Sequence, residues 1–198
     1  MRIVSYSGYS TSPRKKQKRR LQDWMIRLGL YIGGLLVMVI LAISLVKGFG
    51  LQVSVIGDTM EPTLQGEEKV LLNRFAYRLG SPRRLDVVAM KIGSSQSSPT
   101  YIRRIIGVPG DTVKIRAGKV YIDDKELPLK YNDERIHYAG AASEGIELKE
   151  GEYFVLCDDY NGSTDDSRLD SIGMVSSNRL IGKVWLVTYP LKRFRLIR

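Results

Sequence analysis

Residues 101–122 read YIRRIIGVPGDTVKIRAGKVYI. Two runs rich in β-branched and aromatic residues flank Pro109-Gly110-Asp111, and a third follows Ala117-Gly118-Lys119. Short apolar runs bounded by Gly, Pro and Asp mark strands joined by tight turns. Thr112 to Ile122 alternates about Gly118, the pattern of a hairpin. The same grammar extends outward in both directions. Strands are predicted at Lys69–Leu72, Asp86–Met90, Glu152–Leu156 and Gly182–Val187, with a turn at Asp123-Asp124. Segments 92–100 and 132–147 read as loops. No stretch after residue 50 sustains a 3.6-residue repeat over several turns. The body is therefore predicted to be mainly β, folded on itself.

Upstream the grammar changes. Leu28 to Val46 reads LGLYIGGLLVMVILAISLV, an uncharged run closed by Lys47. A helix rising about 1.5 Å per residue over that length nearly matches a hydrocarbon core of roughly 30 Å. The run is longer than the apolar region of a cleaved signal peptide, and Val46-Lys47-Gly48-Phe49 is a poor cleavage site. It reads as an uncleaved signal anchor. The formal net charge of +10 invites a nucleic-acid reading, but its placement argues otherwise. Residues 1–27 hold eight basic side chains against Asp23 alone, +7, which leaves +3 for the rest. The positive-inside rule puts such a tail in the cytoplasm and the body outside, and the tail suits anionic lipid headgroups. No nucleic-acid partner is expected. The predicted organisation is a basic tail (1–27), a membrane helix (28–46), a β domain (50–190) and a basic C-terminal tail (191–198). The C-terminal tail lies either on the membrane surface or as a frayed solvated end.

The chain has one cysteine, Cys157, and one histidine, His137. That excludes an intrachain disulfide, a Cys-rich zinc site and a His-based metal site. Cys157 reads as a small buried hydrophobe. The cluster Asp158, Asp159, Asp165, Asp166 and Asp170 lacks regular ligand spacing and reads mostly as a solvated loop. No metal or cofactor is expected.

Four blocks then stand in order after the apolar run: Gly57-Asp-Thr-Met-Glu-Pro-Thr-Leu, Arg84-Leu-Asp-Val-Val, the stretch 101–112, and Cys157-Asp-Asp leading to Asp166-Ser167-Arg168, Ile172-Gly173 and Ile181-Gly182-Lys183. Together they resemble the type I signal peptidases of bacteria over about residues 28–190. The resemblance implies a membrane-anchored, extracytoplasmic β domain that cleaves signal peptides from exported preproteins. It implies a Ser nucleophile in a Ser-Met-x-Pro-Thr motif and a Lys general base on a Tyr-Ile-Lys-Arg-type strand. Here Thr59 occupies the nucleophile position and Arg103 the base position, while Gly57, Met60 and Pro62 complete the motif. Ser163 or Thr164 matches the Ser that supports the Lys. Asp166 and Arg168 match an ion pair that braces the site. Leu85 replaces a usual Gly. Val53, Val55, Ile56 and Met60 match either an apolar surface that dips into the outer leaflet or ordinary core.

A Thr hydroxyl can attack if a base activates it, although its methyl restricts χ1. A guanidinium stays protonated and cannot serve as that base. Neither Asp58 nor His137 is placed by the sequence to replace it, and Lys91 and Lys114 lie far along their strands. Two readings follow. One is a signal peptidase acting on preproteins. The other is a catalytically inactive relative that binds secreted or surface proteins and assists their assembly, as in pilus systems.

Overall fold

The computed structural model describes residues 13–92 and 99–197. The N-terminal segment 1–12, the side chains of the basic run 14–20, and residues 93–98 of the expected loop lie outside the described residues. The chain divides into one unit ending at Leu45 and a second, Val46–Arg198.

The first unit is helix α1, which runs on to Phe49 (Pro13–Phe49). Within it Trp24–Leu45 is long and apolar enough to cross a membrane, and none of that stretch is buried by the rest of the chain. Its apolar side chains, Leu30, Tyr31, Leu35 and Met38 among them, stand exposed. In water that surface would be costly, at about 25 cal/mol per Å² of apolar area.

The second unit is mainly β. Its strands are β1 (Leu51–Ser54), β2 (Lys69–Asn73), β3 (Val87–Lys91), β4 (Thr100–Gly107), β5 (Thr112–Arg116) and β6 (Lys119–Ile122). They continue as β7 (Lys125–Glu126), β8 (Ile146–Glu147), β9 (Glu152–Leu156), β10 (Val175–Ser176), β11 (Leu180–Tyr189) and β12 (Arg195–Leu196). A single helical turn, α2 (Ala76–Leu79), follows β2. The larger sheet has the order β1-β2-β11-β3-β4-β9-β10, with β12 also on β11; the smaller has the order β7-β6-β5-β8. Every pairing is antiparallel. All seven predicted strands are present. Short edge strands and β1 are added to them.

Local sequence explains the joints. Ala117 and Gly118 both take positive φ, +52° and +77°, the twist that a two-residue hairpin loop between β5 and β6 requires. At Gly182 a Cβ would lie 2.9 Å from the Asn73 main-chain oxygen. Glycine there lets β11 pass close to β2. Leu85 sits at φ +70°. Its N–H donates to the Ile105 oxygen at 2.7 Å and its side chain packs into the core under the smaller sheet. Packing and hydrogen bonding thus offset a backbone conformation that costs an ordinary residue about 1–2 kcal/mol.

Alternation along β4 places its side chains on two faces. Ile102 joins the core formed by Met60, Leu64, Val70, Leu72 and Val184. Ile105 joins Val88, Met90 and Val155. Val55 and Met60 are buried in the first of these cores, Val53 is half-buried against it, and Ile56 is 83% exposed. Core packing, not a lipid-facing surface, accounts for Val55 and Met60.

The C-terminal segment corrects the expectation of a basic tail beginning at 191. Arg195–Leu196 pairs with β11 and Ile197 is buried. Arg195 spans back to Glu68, with Nη1 and Nη2 donating to the two carboxylate oxygens at 2.8 and 2.9 Å. Glu68 is fully buried, so an unpaired charge there would be heavily penalised. That need binds the chain end into the domain.

Candidate functional site

The loop between β1 and β2 carries Thr59. Its ends are held by Val55 N–H to the Glu68 oxygen at 2.8 Å and Glu67 N–H to the Val55 oxygen at 3.1 Å. Gly57 takes φ +70° where the chain leaves β1. Within the loop Met60 and Leu64 are fully buried, and they anchor the turn that presents Thr59. Arg195 Nη2 also donates to the Thr63 oxygen at 2.7 Å, so the chain end helps fix the loop.

Arg103 comes from β4. Its Nη1 donates to Thr59 Oγ1 at 3.1 Å and to the Ile102 oxygen at 2.7 Å, and its Nε donates to the Asp165 main-chain oxygen at 2.6 Å. The two positions singled out in the sequence, 44 residues apart, are thus in direct contact. The guanidinium acts as donor and the hydroxyl oxygen as acceptor. Beside them a pocket of about 270 Å³ is lined by Val55, Ile56, Thr59, Tyr101, Arg103 and Asp165, among others. The Tyr101 ring lies 5.4 Å from the Arg103 guanidinium carbon, within cation–π range.

The block near residue 160 closes the site. Asp159 N–H donates to the Thr59 oxygen at 3.1 Å. Asp166 and Arg168 are both fully buried and pair twice, Nε to Oδ1 at 2.9 Å and Nη2 to Oδ2 at 2.7 Å. Arg168 also donates to the Ser163 and Tyr160 main-chain oxygens at 2.6 and 2.7 Å. Asp166 accepts the Cys157 N–H at 3.0 Å. The pair therefore ties together both limbs of the 157–168 loop, whose Asp165 oxygen holds Arg103. Ser163 Oγ receives the Asp165 N–H at 3.3 Å and lies 3.6 Å from Cys157 Sγ. The Thr164 hydroxyl has no hydrogen bond among the described residues.

Asp158 corrects the reading of a solvated acidic loop. It is fully buried and receives Arg104 Nε at 2.8 Å and Nη2 at 2.5 Å. Burial alone would lower the Arg104 pKa; the hydrogen bond and charge of Asp158 outweigh it and raise the pKa. Tyr131 stacks its ring 3.9 Å from the same guanidinium. Nothing in the local sequence marks Asp158 as buried, because its partner lies 54 residues away.

The substitute bases are placed elsewhere. His137 is exposed and its N–H donates to Asn161 Oδ1. Asp58 is exposed and does not line the pocket. Lys114 is on the smaller sheet. On β3, Val88 is the cross-strand neighbour of Arg103; Lys91, three residues on, falls on the opposite face. Cys157 is buried, and that burial pushes its thiol up to about 12, with the Arg103 charge opposing. A thiol near its ordinary pKa of about 8.5 is orders of magnitude more ionised at pH 8. We expect maleimide to label Cys157 in the folded chain about 10³ times more slowly than a free thiol, and at the free-thiol rate after denaturation, by mass spectrometry.

The model of the family described as "Signal peptidase, peptidase S26" matches residues 27–189. The chain belongs to this family. It is 31% identical to signal peptidase I U of Bacillus subtilis over 70% of this chain and 75% of that one. It is 28% identical to signal peptidase I P of Bacillus subtilis subsp. natto over 91% and 96%. A crystal structure of a signal peptidase I from Enterococcus faecalis V583 aligns with 52% of this chain and 97% of that one, at 28% identity and TM-score 0.43. Within the site of this chain Thr59 and Arg103 are in direct contact.

Proposed function

We propose that this protein is a membrane-anchored member of the signal peptidase family whose site receives an extended, signal-peptide-like segment and holds it without cleaving it. One observation carries the reading: Arg103 donates a hydrogen bond into Thr59 Oγ1. A nucleophilic hydroxyl needs a neighbour that accepts its proton. A guanidinium at that place is a donor only, and it occupies a lone pair of the oxygen without taking its proton. Among the described residues no Lys, His or carboxylate hydrogen-bonds the hydroxyl in its stead.

In this reading Ser163 fills the supporting position, and Asp166–Arg168 keeps the loop shape. The fold and the pocket persist because ion pairs and core packing maintain them, independently of the dyad. Bound segments are preprotein signal peptides or part of a secreted or surface protein, which the chain retains or hands on. Trp24–Leu45 spans the membrane with the basic N-terminus in the cytoplasm and the β domain outside. Protease added outside sealed right-side-out vesicles should digest the β domain and spare the 14–20 segment. Cleavage within 14–20 would reverse the assigned orientation.

A further inference from the structure

We infer that the pocket beside Thr59 is a carboxylate site, so that the segment it takes presents an acidic side chain or a free carboxyl terminus to Arg103. This rests on reading the site as one that binds peptide. The starting point is an electrostatic imbalance. Arg103 is 3% exposed, yet its three hydrogen bonds go to neutral oxygens: the Asp165 and Ile102 carbonyls and the Thr59 hydroxyl. No carboxylate oxygen among the described residues pairs with it. Other cations of the domain are matched. Arg104 has Asp158, Arg168 has Asp166, Lys183 has Asp86, Arg84 has Asp111 and Arg195 has Glu68. A buried cation without a counter-charge is costly, and buried charges are ordinarily paired.

Geometry shows where the missing charge belongs. Nε and Nη1 are committed, while Nη2 makes no hydrogen bond among the described residues. The guanidinium forms part of the wall of the pocket, whose other walls mix apolar side chains such as Val55, Ile56 and Ile102 with the polar residues Ser54, Thr100 and Asp165. Asp165 lines the same pocket, but it contributes its main-chain oxygen to Arg103, not an ion pair. A cleft with one unmatched donor selects a segment that brings one acceptor of negative charge to it, and a carboxylate fits the planar donor edge of arginine. The site thus exchanges a family position associated with proton transfer for one that attracts an anion.

The test uses the full chain in detergent and fluorescein-labelled Ala/Val nonapeptides, read by anisotropy at pH 7. One peptide pair differs by a central Glu or Gln. A second, lacking acidic side chains, ends in a free carboxylate or an amide. The charged member of at least one pair should bind tighter than its neutral twin by about tenfold or more. The pair that shows the advantage identifies the source of the carboxylate. The advantage should vanish in Arg103→Met. In the unaltered protein it should also fade as the pH falls through the ligand's own pKa of about 4, which decides the matter should that variant not fold. Equal affinities within both pairs, or an advantage that survives in folded Arg103→Met, would overturn the inference and leave peptide binding standing. No binding by any peptide would overturn both readings. Cleavage of the peptides would overturn the non-cleaving reading alone, with the ratio between twins still deciding this one.

Discussion

Combining Thr59→Ser with Arg103→Lys should convert a silent site into a cleaving one. The Ser hydroxyl loses the methyl that restricts its rotamer. The introduced ammonium would replace a guanidinium that is 3% exposed and whose hydrogen bonds go to neutral oxygens. Burial without a counter-charge lowers a lysine pKa, and a lysine that gives up its proton near neutral pH can take one from the hydroxyl. A positioned general base contributes about 10²–10⁴ in rate, so turnover of a preprotein with a small-x-small site should rise by about that factor over Thr59→Ser alone. The sign of the pH dependence follows. Activity should grow as pH rises through the pKa of the introduced lysine, since the neutral amine is the working form. Thr59→Ser alone should stay silent, because the proton still has no acceptor. A double variant as silent as the single ones would place the defect beyond these two positions.

The largest effect on stability is expected at Asp166. Asp166→Asn leaves Arg168 fully buried opposite a neutral amide, and breaking a buried ion pair from one side costs about 3–5 kcal/mol. That is a large share of the stability of an ordinary domain, about 5–15 kcal/mol. The change also disturbs the loop through which Arg168 holds the Ser163 and Tyr160 oxygens, and thereby the Asp165 oxygen that orients Arg103. Glu126→Gln provides the contrast. Its partner Lys119 and Glu126 itself are about half exposed, and such a surface pair contributes about 0–1 kcal/mol. Urea unfolding of the full chain in detergent should separate the two variants clearly. Similar midpoints would contradict the bracing role of Asp166–Arg168.

The legible parts of this molecule were those with local signals. Strands such as Thr100–Gly107 and the hairpin at Ala117-Gly118 follow from alternation and turn chemistry. Thr59 and Arg103 stood out because each sits in a block of recognisable neighbours, and the fold brings the blocks together. Arg195–Glu68 and Arg104–Asp158 were not legible, since each joins residues 127 and 54 positions apart. A lone Arg or Asp in the sequence does not disclose whether a partner arrives through space. For the same reason the C-terminal basic residues read as a tail, although Arg195 is needed to neutralise Glu68. Val55 and Met60 were ambiguous because an apolar residue beside a membrane anchor suits lipid and core equally; burial in the hydrophobic core resolved them.

In the proposed reading, a Thr59 hydroxyl that faces a proton donor does not attack. The direct check is to incubate the full chain in detergent with a preprotein bearing a small-x-small site and to follow both by mass spectrometry. We predict an intact preprotein after prolonged incubation, identical for the unaltered chain and Thr59→Ala. Cleavage at that site by the unaltered chain, abolished in Thr59→Ala, would contradict a silent site.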